Sequence, residues 1–300
     1  RGAGRPVQLR GTHLAGKPFM QDGVPFFVPR PGGDGGAFIC LVEKAGSSAW
    51  KVLLGAIIRR SRPLRRAEVA ARWRNASIPR VAIVRNPYSR LLSIYLDQVV
   101  GAHARPRFQR AYGRGNFTAF AQQMLRRART EGHHRLNGHF QPVVYHCGLG
   151  PPGAPQRFDY ALKIEQQALW YGPLVKVLGA AEEAAQPVGG RAGRRRAQCF
   201  YAPPGCTCLG EVVATSNVTR LTTSHETGAD GLLARHVRAR EADTITRFAR
   251  ADLERLAYPP FDGVDAAAYA RLLSGLLPGD LSPEGAREYC SRWHATLSVQ

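Results

Sequence analysis

Twice within the first hundred residues the chain runs through the same order of events. An unbroken apolar run of strand length, AFICLVE (37–43), gives way to a loop of small residues. SAWKVLLGAIIRR (48–60) follows, with Trp50, Leu53, Leu54, Ile57 and Ile58 recurring at helical spacing. RVAIV (80–84) then leads into NPYSRLLSIYLDQVV (86–100), with Pro87 suited to a first helical turn and Leu91, Leu92, Tyr95 and Leu96 on one face. Continuous apolar runs of this length are what strands buried on both faces of a parallel sheet require. Strand, loop and helix in repeated order predict an α/β fold, with a central, mainly parallel sheet flanked by helices in layers.

The remainder fits that frame. NFTAFAQQMLRRAR (116–129) reads as an amphipathic helix, FDYALKIE (158–165) as another strand, and QQALWYGPLVKVLG as a helix interrupted near Pro173. ADGLLARHV and EADTITRFARADLERLAY read as two helices stopped by Pro259 and Pro260. Residues 1–36 are polar and rich in Gly and Pro and read as an N-terminal arm. Residues 37–263 read as the main domain, with an irregular Cys- and Arg-rich insertion at about 180–210, and 264–300 as a helical extension.

The 300 residues carry a formal net charge of +20. That excess suits an anionic partner, but arginine and alanine dominate the composition, as a GC-rich coding sequence also produces. Lysine is scarce, and two of the five, Lys44 and Lys51, bracket the first loop. The six cysteines lack paired C-x-x-C spacing, so disulfides in an oxidising compartment explain them better than a metal. The sequons at Asn75, Asn116 and Asn217 point to the same compartment. No run approaches the length of a membrane span. The chain opens on Arg rather than Met, and the expectation is a piece of a longer protein whose membrane anchor would lie upstream.

Ligands of open parallel sheets bind where strand ends feed helix N-termini, because unpaired N–H groups and the helix dipole favour an anion there. In the first unit the backbone of Ala45, Gly46, Ser47, Ser48 and Ala49 can form such a nest, with Lys44 as a cation at its mouth. An ordinary tight turn would use the same residue types. In the second unit Arg85 ends its strand, where a guanidinium can grip a phosphate with paired donors, and Ser93 lies two helical turns on. A solvated strand end and a helix filler are the plain alternatives.

VEKAGSSAWK followed by RNPYSRLLSIY resembles the paired donor signatures of sulfotransferases, in particular the Golgi carbohydrate enzymes that include the chondroitin and HNK-1 sulfotransferases. The resemblance implies a P-loop-like three-layer fold and 3′-phosphoadenylyl sulfate (PAPS) as donor, with PAP as product and no metal. It rests on Lys44, Trp50 and Lys51 in the first motif and on Arg85, Pro87, Arg90, Ser93 and Tyr95 in the second. Ser47, Ser48 and Ala49 stand where many members have Cys-Thr-Asn. NGHFQPVVYHC (137–147) is similar to a further family segment, with Phe140 replacing Trp, and so are FDYALKIE and the two closing helices, so that the likeness runs from about 37 to 262.

On this resemblance Lys44 would stabilise charge on the leaving oxygen, 45–51 would hold the 5′-phosphosulfate, and Arg85 and Ser93 would select the 3′-phosphate. His139, at the family's histidine position, would take the acceptor's proton. A structural histidine beside Phe140 is the competing reading, and His133, His134 and Glu68 are the other candidates. His225 suits a helix entry better than catalysis, Glu165 suits either a cofactor-side or a strand-end ion pair, and Trp50 and Tyr95 suit the core. The implied acceptor is a glycan or other hydroxyl compound in the Golgi lumen, an anionic one suiting the basic charge, with no nucleic acid expected. A nucleotide-dependent kinase and a non-enzymatic basic module for anionic glycan or nucleic acid are the rival readings, and a donor-binding protein without turnover is a third.

Overall fold

A computed structural model describes residues 9–14, 17–18, 20–31, 35–101, 104–112, 116–147, 149–150, 158–179 and 229–274. The 180–210 insertion with Cys199, Cys206 and Cys208, His225, the Asn217 sequon and Cys290 lie outside them.

The two strand–helix units form as their apolar patterns predict. β1 (His13–Leu14) and β2 (Lys17–Pro18) make a small antiparallel pair. The main sheet has the order β3 (Phe26–Pro29), β4 (Gly36–Leu41), β5 (Arg80–Val84), β6 (Tyr160–Lys163). β4, β5 and β6 are mutually parallel, with Leu41 opposite Ile83 and Val84 opposite Lys163, and β3 runs antiparallel along β4. The three parallel strands therefore deliver Lys44, Arg85 and Lys163 to one edge of the sheet.

Alternation along β4 sorts its side chains to two faces, as a pleated strand must. Ile39 and Leu41 pack with α1 (Ser47–Arg60) and α6 (Gln167–Val177). Cys40 and Val42 face α3 (Pro87–Ile94), α5 (Phe117–Glu131) and α8 (Ala239–Phe248). The result is a three-layer α/β fold consistent with the P-loop-like sulfotransferase arrangement. The connections also hold α2 (Arg66–Arg74), α4 (Pro106–Tyr112), α7 (Leu233–His236), α9 (Arg250–Arg255) and α10 (Ala266–Ser274). Among the described residues no helix is long and apolar enough to cross a membrane.

Three elements depart from expectation. FFVP, within the supposed N-terminal arm, is an edge strand: Phe26, Phe27 and Val28 are buried against β4, and Pro29 sits at its end, where a missing N–H is tolerated. α6 continues past Pro173, because Trp170, Tyr171, Leu174 and Val175 all bury on the sheet and packing overrides propensity. α10, in the segment read as an extension, packs Tyr269 and Leu273 into the same core as α3.

A disulfide joins Cys40, inside β4, to Cys147, across 107 positions. Its loop is long enough to restrict the unfolded chain by about 5 kcal/mol in the chain-entropy limit.

Candidate active site

Asn86 caps α3. Its side chain accepts from Tyr88 N at 3.0 Å and Ser89 N at 3.3 Å, and Pro87 follows as the first helical residue. α1 starts differently. Gly46 precedes it in the left-handed region (φ 72°), no side chain caps it, and no acidic residue lies in its first turn. A non-glycine residue at 46 would be strained there, and its Cβ would sit 3.0 Å from Ile164 Cδ1. Lys44 also adopts positive φ, 66°. The first-turn N–H groups of such a helix have no intrahelical acceptor, and the exposed Gly46 and Ser48 leave this end open to solvent. Ala45 N is spent on Val42 O at 3.1 Å.

The two motifs meet. Arg85, at the end of β5, donates from Nη1 to Lys44 O at 3.0 Å and from Nη2 to Asp230 Oδ2 at 2.6 Å. Its Nε is buried without a hydrogen-bond partner. Lys44 Nζ forms an ion pair with Asp97, whose side chain is 2% exposed and also accepts from Gln98 Nε2. Asp97 lies in a π-helical turn, Tyr95–Val100, that continues α3. Lys51 pairs with Asp22 at 2.6 Å, and burial raises the pKa of Asp22. Lys44, Lys51 and Arg85 thus each hold a carboxylate, and the exposed Asp230 is the one most easily displaced by a competing anion.

Other expected residues land as follows. Ser47 is buried near the loop and Ala49 lies in the first turn of α1. Trp50 is a core residue: its ring stacks on Trp170 at 5.5 Å, and its backbone N–H is donated to Gly46 O at 3.2 Å. Its ring therefore packs in the core, as the plainer of the two sequence readings has it. Ser93 is buried within α3. Tyr95 packs on Phe117 and Phe120, both at 5.3 Å. Glu165 accepts from Asn86 N at 2.7 Å and Tyr258 Oη at 3.0 Å, propping the second motif from the turn that follows β6. Glu68 caps α2 through Arg65 N at 2.7 Å, and His133 bonds Phe248 O at 3.0 Å.

His139 stands on a short turn, Gly138–Phe140, beside the Lys44 loop. Burial lowers its pKa, Glu43 opposes that, and Lys44, Arg105 and Arg90 add to the lowering. Arg90, fully buried, clamps this turn to the end of β4: Nε donates to Glu43 O at 3.0 Å, Nη1 to Gln141 O at 2.8 Å and Nη2 to His139 O at 3.2 Å. From below, Asp252 accepts from Val143 N and Val144 N, both at 2.8 Å, and burial pushes its pKa up to about 6.

Sequence reasoning missed Glu43, Asp97, His146 and Asp230. Asp97 sits four residues after Ser93 in an apolar helical pattern, a detectable irregularity. Asp230 has no local signal at all.

His146 is buried with Nδ1 at 3.5 Å from Glu43 Oε2, and burial lowers its pKa to about 4. The unfolded imidazole takes up a proton below about pH 6.5. Between the two values the unfolded chain holds more protons, so stability falls as pH falls. Denaturant titrations of wild type and His146→Gln should diverge, with wild type losing up to about 3 kcal/mol more between pH 6.5 and 4. Parallel losses in the two proteins would show that the buried ring is not held neutral.

With this geometry in hand, comparison with known proteins gives one match. Residues 33–168, a little under half of the chain, match the model of the sulfotransferase family. The matched stretch contains β4, the Lys44 loop, β5, α3 and the His139 turn, and it supports a sulfotransferase and sulfuryl transfer as its chemistry. Comparisons with curated proteins and with solved structures each gave no match.

Proposed function

We propose that this chain is a PAPS-dependent sulfotransferase acting on a hydroxyl group, of a carbohydrate by family resemblance. The observation that carries the reading is the bond from Arg85 Nη1 to Lys44 O, which joins the two motifs at adjacent ends of β4 and β5. The donor set suits a nucleotide with phosphates at both ends of its ribose. An uncapped first turn of α1 and Lys44 lie on one side, and Arg85, with a buried unpartnered Nε, lies on the other. Bound, PAPS supplies an activated sulfuryl group on a phosphate leaving oxygen. The chain's own tasks are then to hold anionic oxygens at the α1 N-terminus, to place the Lys44 ammonium where negative charge grows, and to hold the acceptor's proton on the His139 ring. Kinase chemistry loses ground because the loop lacks the Walker pattern. An oxidising, Golgi-type lumen suits the Cys40–Cys147 bond and the exposed sequons Asn75 and Asn116.

Calorimetry with PAP and with ADP, which lacks the 3′-phosphate, tests the donor. PAP should bind about 10- to 100-fold tighter than ADP, the worth of one charge-assisted contact, and Arg85→Ala should erase that preference. Equal affinities in folded wild type would defeat the proposal.

A further inference from the structure

We propose that Glu43 is a positioning residue for the base: its carboxylate is fixed against the His139 turn and supplies negative charge to a ring otherwise flanked by Lys44, Arg90 and Arg105. This rests on the reading of His139 as the proton acceptor.

The placement is rigid. The Arg90 guanidinium that binds Glu43 O also binds His139 O and Gln141 O, so the two backbones share one buried anchor. The Cys40–Cys147 bond ties the same strand to the far end of the same segment. The Glu43 carboxylate meets that segment at two residues, His146 and Gly138. Oε2 is 3.5 Å from His146 Nδ1 and is buried without a hydrogen-bond partner. Oε1 lies beside Gly138, 3.6 Å from where a Cβ there would sit, which sets the carboxylate against the first residue of the His139 turn.

Near neutral pH its charge is not cancelled by His146. That ring is held neutral by burial and by Arg90. Glu43 itself is held below the ordinary carboxyl value, since burial works against ionisation but His146, Arg90 and His139 outweigh it. The groups acting on His139 are Glu43 just past β4, Lys44 with its partner Asp97, Arg90 from α3, and Arg105 ahead of α4, while Asp252 of α9 acts on Arg90. Burial first, and then three cations, raise the cost of placing a proton on the ring, and Glu43 offsets part of it. A base in a purely cationic setting would be neutral but too weak to accept a hydroxyl proton in step with transfer.

The test is an NMR titration of the histidine ring resonances in the whole protein, with His139→Asn assigning the signal. In Glu43→Gln the His139 midpoint should fall by about one pH unit. Glu43→Asp, which keeps the charge at a shorter reach, should show a smaller fall and also serves if the glutamine variant does not fold. A His139 midpoint that stays or rises in either folded variant overturns the proposal. PAP binding measured on the same samples keeps the donor reading separate: its absence in wild type would sink that reading, and the titration would still decide the electrostatic role of Glu43.

Discussion

Arg90→Met should lower the unfolding free energy by about 3–5 kcal/mol in a denaturant titration. Methionine fills much of the same volume, so the loss comes from the three carbonyl oxygens left without a donor in a region closed to water. Arg90 is 3% exposed, and its acceptors belong to two separate segments, the end of β4 and the turn carrying His139. Hydrogen bonds from a charged donor are worth more than neutral ones, and a carbonyl stranded in the interior costs its full desolvation. Arg90→Lys should be nearly as damaging, because a single ammonium cannot reproduce a planar fork aimed at three acceptors. A loss under about 1 kcal/mol in Arg90→Met would mean that the two segments are held together by something else.

The second large effect is expected at Lys44. Lys44→Ala should cut PAP release from PAPS, to acceptor or to water, by about 10²- to 10³-fold, the usual cost of removing one donor from a site of growing negative charge. The same substitution strands Asp97, so a stability loss of about 3–5 kcal/mol should accompany it. The double variant Lys44→Ala with Asp97→Asn separates the two. Its stability should recover, since no buried carboxylate is left without a cation, while its turnover should remain low. Recovery of both would reduce Lys44 to a counter-ion of Asp97.

What could be read from the residues in order was what local periodicity encodes. AFICLVE and RVAIV are apolar because they are covered on both sides, and Pro87 with Asn86 marks the entry of α3. FFVP carries the same signal in miniature, but it sits among glycines and prolines and is too short for alternation to stand out. The charges around the site obey no local rule. Asp97 meets Lys44 across 53 positions, and Asp230 meets Arg85 across 145. Cys40 and Cys147 become neighbours only because the segment from Gly138 to Cys147 folds back over the end of β4. The positive φ at Lys44 belongs to the turn as assembled, and lysine has no preference that announces it.

The stretch shared with the sulfotransferase family stops at residue 168, yet four of the supports beneath it come from later in the chain. Asp230 holds Arg85, Tyr258 holds Glu165, and Asp252 holds Val143 and Val144, while Tyr269 accepts from Asn86 Nδ2 at 2.8 Å across 183 positions. The part that kinship makes recognisable and the part that acts as one mechanical body therefore have different lengths. Inheritance can preserve both motifs letter for letter while drift in the closing helices loosens the posts they are tied to. A change at Tyr269 would retune the grip on a nucleotide through a residue that no signature contains.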